Sequence, residues 1–335
     1  MTTTSSVESQ PKGLRLLTAF VTALAAFVLP MTVTGAALPT PAHHGHHHHT
    51  TWSVQVGNES PDKAIQGMRY LPSNIWIHSG DAIRWTAGST EIHTVTFLAR
   101  HQALKPFDPK DPLDTLRQGG DRYRPGHYFN SGVLTTERGP VLGMPTVRDY
   151  RLSFGRPGTF TYWCIVHGKA MKGTVHVRPR HAHLPFTQAQ YDRQAAHQAK
   201  AVLADGYRLW AATKQQATHR RVIEGNDDGK AMLMRFVRPT VRVRAGRTVT
   251  FANIGMGAPH AVTFGKEPTD VFAPSGHPRH YRGGDLNSGI QPPGATFRVR
   301  FVKPGTYHYI CALHDSMGMV GTVIVLPRHH HHPRH

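Results

Sequence analysis

Short stretches of alternating apolar and polar residues run through most of the chain. Ile75-Trp76-Ile77-His78, Val241-Arg242-Val243-Arg244 and Phe297-Arg298-Val299-Arg300-Phe301 have a period of two, which puts one strand face inside and the other in water. Pro-Gly and Gly-Asp pairs separate these stretches, as turns between strands require. The pattern predicts β-sandwich architecture. It breaks once, over 187–217, where the sequence is Ala- and Gln-rich, has no Pro and has one glycine, Gly206. Tyr191, Ala195, Val202, Leu203, Leu209 and Trp210 recur there at roughly helical spacing. A helix is expected after Pro185, broken near Gly206, with its apolar stripe used for packing.

The strand-rich regions on either side of that helix repeat each other in order. Val56-Gly57-Asn58 and Met68-Arg69-Tyr70 match Glu224-Gly225-Asn226 and Met234-Arg235-Phe236. His93-Thr94-Val95-Thr96-Phe97 matches His260-Ala261-Val262-Thr263-Phe264. Asn130-Ser131-Gly132 matches Asn287-Ser288-Gly289, and Pro157-Gly158-Thr159-Phe160 matches Pro304-Gly305-Thr306-Tyr307. The expected division is a signal peptide at 1–37, a His-rich segment at 38–50, one module at 51–178, a helical linker at 179–217, a second module at 218–327 and a His-rich tail at 328–335.

Composition sharpens this picture. The 335 residues are 39% apolar and 18% charged, a globular profile with room for two domains. Lys12 and Arg15, the apolar run at 16–29 and the small residues at 34–37 read as an export signal, with an uncleaved N-terminal anchor as the alternative and sole expected route to a membrane. The net charge of +19 favours acidic partners, but no nucleic-acid motif accompanies it. The arginines Arg235, Arg238, Arg242, Arg244, Arg247, Arg298 and Arg300 read either as solvated strand faces or as a docking face for an acidic redox partner. The imidazoles of the two His-rich segments offer loose extra sites for Cu, Zn or Ni.

The chemistry concentrates at the end of each module. Cys164 is followed by His167 and Met171, and Cys311 by His314, Met317 and Met319. Each module also has a His far upstream, His93 or His260, before a Val-Thr-Phe strand. A thiolate, two imidazoles and a weak thioether form the ligand set of a blue-copper electron-transfer centre. Both modules resemble the cupredoxins. The module at 218–327 is most similar to plastocyanin, with Phe251-Ala252-Asn253 before Pro259-His260 adding to the likeness. The resemblance implies an all-β protein of two tandem cupredoxin-like Greek-key β-sandwiches. It implies copper held by His93, Cys164, His167 and Met171, and by His260, Cys311, His314 and Met319. Met317 competes with Met319, but Met319-Val320-Gly321-Thr322-Val323 aligns with Met171-Lys172-Gly173-Thr174-Val175. The first loop is one residue shorter, and a long insertion around 102–150 lies between His93 and Cys164.

The expected role is one-electron transfer to redox partner proteins through exposed edges of His167 or His314, outside the cytoplasm. Copper sequestration or delivery is the alternative. A multicopper oxidase or copper nitrite reductase fits less well, because Trp163, Ile165, Ile310 and Ala312, not His, flank the two cysteines. A Cys164–Cys311 disulfide would leave the neighbouring His and Met unexplained, and Met is a poor zinc ligand. His127, His277, His280 and His308 lack matching spacing and are expected at the surface or behind the ligands.

Overall fold

The period-two segments form strands, nine of which recur in matching order in the two modules, while the first module adds four two-residue strands, Arg117–Gln118, Arg122–Tyr123, Val133–Leu134 and Thr146–Val147. A computed structural model describes residues 49–328; the proposed signal, the His-rich segment up to residue 48 and the tail from residue 329 lie outside them. In the first module the strands are β1 (Thr51–Glu59), β2 (Ile65–Leu71), β3 (Asn74–His78), β4 (Ala82–Ala87), β5 (Thr96–Phe97), β6 (Phe129–Ser131), β7 (Asp149–Phe154), β8 (Gly158–Trp163) and β9 (Lys172–Arg178). The second module supplies β10 (Arg221–Asp227), β11 (Ala231–Val237), β12 (Thr240–Arg244), β13 (Thr248–Ala252), β14 (Thr263–Phe264), β15 (Leu286–Asn287), β16 (Thr296–Arg300), β17 (Gly305–Ile310) and β18 (Val320–Leu326). Each module is a β-sandwich. One layer runs β3-β9-β8-β5-β6 in the first, with the short strand Arg117–Gln118 at its edge, and β12-β18-β17-β14-β15 in the second.

The other layers are not separate. They join into one nine-stranded sheet, ordered β16-β13-β10-β11-β2-β1-β4-β7 and ending on the short strand Arg122–Tyr123. The joint is the antiparallel pairing of β2 with β11, Gly67 opposite Ala231, Gln66 opposite Met232 and Ile65 opposite Leu233. Strands of equivalent sequence therefore meet edge to edge, which removes two open sheet edges at once.

Each sandwich is filled by the inward-facing positions. Tyr70, Trp85, Phe97, Phe154 and Tyr162 are buried in the first core, and Phe251, Phe264, Phe301 and Tyr309 in the second. The Asn-Ser-Gly repeat closes each sandwich in the same way. Ser131 and Ser288 accept from the N–H of Val95 and Val262, while Thr96 and Thr263 donate to Asn130 and Asn287.

The helix runs unbroken over Gln188–Lys214, which corrects the expected interruption at Gly206. Its start is fixed by a capping box of Thr187 and Gln190. Gly206 is buried, and a Cβ there would lie 2.2 Å from Ile65 Cγ2, so glycine lets the helix approach β2 closely. Val202 packs with Ile65, Ile223, Leu233 and Val237 beneath the helix, with Trp210 at the margin. Asn58 donates to the Ala199 carbonyl and Asn226 to Thr213 Oγ1, one bond from each module. The helix thus clamps the joint between the modules. Among the described residues no helix is long and apolar enough to cross a membrane.

Candidate metal centres

Folding brings the remote histidines to the cysteines. In each module the Cys directly follows a strand, β8 or β17, and its loop returns so that Cys164 N–H donates to Met171 O and Cys311 N–H to Met319 O, both at 3.0 Å. Short 3-10 turns, Gly168–Ala170 and Asp315–Met317, fill the two loops. The loop of the first module is one residue shorter, yet it closes with the same backbone bond.

The ligand atoms of His93, Cys164 and His167 lie within 4.8 Å of one another, as do those of His260, Cys311 and His314. Cys164 Sγ is 3.9 Å from His93 Nδ1 and 3.3 Å from His167 Nδ1. The second site repeats this at 3.9 Å to His260 Nδ1 and 3.4 Å to His314 Nδ1. Metal–nitrogen and metal–thiolate bonds of about 2.0 and 2.3 Å at trigonal angles put such atoms about 3.7 Å apart. The spacing and the soft donor set therefore fit a copper ion in each module. Met171 and Met319 are fully buried, in the same clusters as Cys164 and Cys311 respectively. Met317 instead joins the cluster of the first module, across the joint from its own cysteine.

Residues around the ligands are also duplicated. Thr94 N–H donates to Cys164 Sγ at 3.4 Å, and Ala261 N–H to Cys311 Sγ at 3.3 Å, stabilising negative charge on each sulfur. A bulge in β1 and another in β10 carry Gly57 and Gly225 at φ +69° and +73°. A Cβ on these glycines would lie 2.4 and 2.8 Å from Nε2 of His93 and His260. Backbone thus presses the outer edge of each remote imidazole, and Nδ1 faces the sulfur. Ser89 Oγ adds a contact of 3.0 Å to His93 Nε2. The repeated glycine was the sequence signal for this contact, although spacing alone did not reveal its role.

Electrostatics distinguish the sites. Burial opposes ionisation of Cys164, but the charge and hydrogen bond of His167, with help from His93, outweigh it and hold the thiol well below its usual range. His167 is correspondingly pushed up to about 10, its burial overcome by the Cys164 and Glu91 charges. Around the second site burial prevails. It pushes the Cys311 thiol up to about 12 and drives His260 and His314 down.

The expected exposure of the histidine edges is corrected. The side chains of His167 and His314 are only 6% and 9% exposed. Both border an apolar cavity of about 910 Å³ between the modules. Leu104, Phe107 and Leu142 of the insertion wall one side, and Phe272, Pro292 and Leu313 the other. The insertion and the second module together border these ring edges. His127, His277, His280 and His308 are not buried and join neither group. The two cysteines are free thiols.

A sandwich with a buried Cys, two His and a Met at one end defines the class as a cupredoxin. Comparison with known proteins agrees. A family profile described as copper binding proteins of the plastocyanin/azurin family matches residues 223–326. Plastocyanin A'/A'' of Nicotiana tabacum is 36% identical over 108 residues, 31% of this chain and 97% of the relative. The chloroplastic plastocyanin of Chlamydomonas reinhardtii is 33% identical over 103 residues, 30% of this chain and 63% of that protein. Among solved structures, oxidised plastocyanin from Dryopteris crassirhizoma aligns at 24% identity and a TM-score of 0.24, covering 32% of this chain and 99% of its own. The chain belongs to the plastocyanin/azurin family of copper-binding proteins.

Proposed function

We propose that the protein is an exported one-electron carrier with a type 1 copper ion in each module, held by His93, Cys164, His167 and Met171 and by His260, Cys311, His314 and Met319. One observation carries this reading: the same thiol–imidazole triad recurs in both modules with sulfur–nitrogen separations of 3.3–3.9 Å. Copper in such a ligand set exchanges one electron between Cu(II) and Cu(I). The chain's own residues fix the ligand positions through the strand ends, donate N–H to each sulfur and exclude water behind apolar walls. No histidine flanks either cysteine, which supports a carrier over an enzyme with a second type of copper centre.

The proposed location is outside the cytoplasm, on the strength of the apolar run at 16–29 and its basic flank. An acidic redox partner is proposed from the net charge of +19 and from Arg220, Arg242, Arg244 and Arg247, which gather with His219 around a cavity of about 380 Å³.

The test is the visible spectrum after adding Cu(II), compared with those of Cys164→Ser and Cys311→Ser. An intense thiolate-to-copper band that falls in part with each substitution and vanishes in the double variant is expected. Bound copper without that band would replace the carrier reading with copper sequestration on a cupredoxin scaffold.

A further inference from the structure

One acidic side chain lies between the two candidate centres, and it comes from one module only. Glu91 is buried, with 8% of its side chain exposed. Its Oε1 is 3.7 Å from His167 Nε2, and its Oε2 is 3.8 Å from His314 Nε2. Each oxygen thus faces the outer nitrogen of a ring whose inner nitrogen faces a cysteine, one ring in each module. Both separations are ion-pair distances and longer than a hydrogen bond, so the carboxylate is shared between the rings and committed to neither. With a metal ion on Nδ1, each ring would keep its proton on Nε2, and two electropositive N–H edges would face the one carboxylate.

The repeat gives an independent reason to see a built feature. Glu91 stands two residues before His93, and the same place before His260 is Ala258. Ala258 is itself buried and packs into the first module's cluster. A symmetric pair of modules would bring two carboxylates together at this point, and their repulsion in a dry site would be costly. The chain has one carboxylate and one methyl group there. Gln66, at the joint of the sheet, accepts the Glu91 N–H at 3.4 Å through its side-chain oxygen and fixes the backbone at this spot.

Resting on the two-copper reading above, we infer that Glu91 is a shared electrostatic ballast which sets the Cu(II)/Cu(I) balance of both centres at once. A fixed negative charge beside both ligand rings favours the more positive oxidised state at each site, and low local dielectric strengthens the effect. The consequence is a pair of centres whose potentials move together, so that an electron finds neither site strongly preferred on account of this residue.

The test is a spectroelectrochemical titration of the copper-loaded protein, with each centre read separately in the Cys164→Ser and Cys311→Ser backgrounds. Glu91→Gln should shift both centres toward Cu(I) by at least tenfold in the Cu(II)/Cu(I) ratio at fixed ambient potential, about 59 mV for one electron. Glu91→Ala, which places the Ala258 residue type at the equivalent position, should do the same and guards against misfolding specific to glutamine. Glu137→Gln, a change to another carboxylate bordering the cavity, should leave both potentials near wild type. A shift at only one centre, or at neither, would overturn the shared role while leaving the two-copper reading intact. Loss of the blue band in the otherwise unaltered protein would overturn both.

Discussion

Gln66 stands directly opposite Met232 in the antiparallel pairing that joins the two modules. The two residues hold the same place in the repeat, each two positions before the Met of Met68-Arg69-Tyr70 or Met234-Arg235-Phe236. The modules therefore meet about an approximate two-fold through this pair, as two copies in an isologous dimer would. That arrangement turns the metal-bearing ends of both sandwiches toward one another, with His167 and His314 on either side of Glu91. Arg235 strengthens the junction by donating to the carbonyls of Met317 and Asp62, one in each module.

The clamp over this joint makes a counterintuitive prediction. Gly206→Ala should improve helix propensity by about 1 kcal/mol. The added methyl group, however, would meet Ile65 Cγ2 at 2.2 Å and Ala231 Cβ at 3.3 Å. Overpacking is expected to win, with a net loss of about 1–3 kcal/mol in urea unfolding. Ile65→Ala in the same chain should recover part of that loss, because the two changes share one space.

Gly57 and Gly225 predict site-selective damage. Each occupies a positive φ, and each lies against the ring of the remote histidine. Gly57→Ala should displace His93 and weaken the first centre's absorption while sparing the second. Gly225→Ala should do the reverse through His260. The backbone strain alone is expected to cost about 1–3 kcal/mol, measurable by thermal unfolding of the metal-free protein. Equal loss at both centres from either change would contradict the assignment.

Met317 and Met319 separate by the cluster each joins. Met319 is buried with Cys311, whereas Met317 packs with the core of the first module. Met319→Leu should alter the position and intensity of the second centre's absorption band. Met317→Leu should leave that band unchanged and cost less than about 1.5 kcal/mol, as volume-conserving core changes do. A spectral change confined to Met317→Leu would reverse the two roles.

Much of this architecture was legible because it is written locally. Period-two strands, turn glycines and the Cys-His-Met clusters each occupy adjacent residues, and their duplication exposed the ligands His93 and His260 across long separations. The continuity of the helix was not legible. Gly206 lowers propensity wherever it falls, and only the closeness of Ile65 explains its presence. Glu91 was missed for a related reason: its significance arises from two rings that meet only after β2 and β11 pair. The burial of the His167 and His314 edges was hidden likewise, since the insertion and the opposite module provide the walls together.

Glu224 offers a test of pH dependence in the metal-free protein. It lies buried in β10, opposite Phe236 of β11, and neither carboxyl oxygen has a hydrogen-bond partner. Burial pushes its pKa from 4.5 up to about 8. The folded state therefore keeps a proton that the unfolded chain releases near pH 4.5, and stability falls as pH rises. No penalty arises below pH 4.5; it accumulates between pH 4.5 and 8 and is complete above 8, on the order of 5 kcal/mol at 1.36 kcal/mol per pH unit. Glu224→Gln should remove this slope. Glu224→Val, which copies Val56 at the equivalent place in the first module, should remove it and raise stability across the range. Urea unfolding at pH 5.5 and 8.5 checks the claim. The wild type should lose stability relative to Glu224→Val on going to the higher pH, and parallel behaviour of the two proteins would show that the Glu224 carboxyl finds a partner in solution.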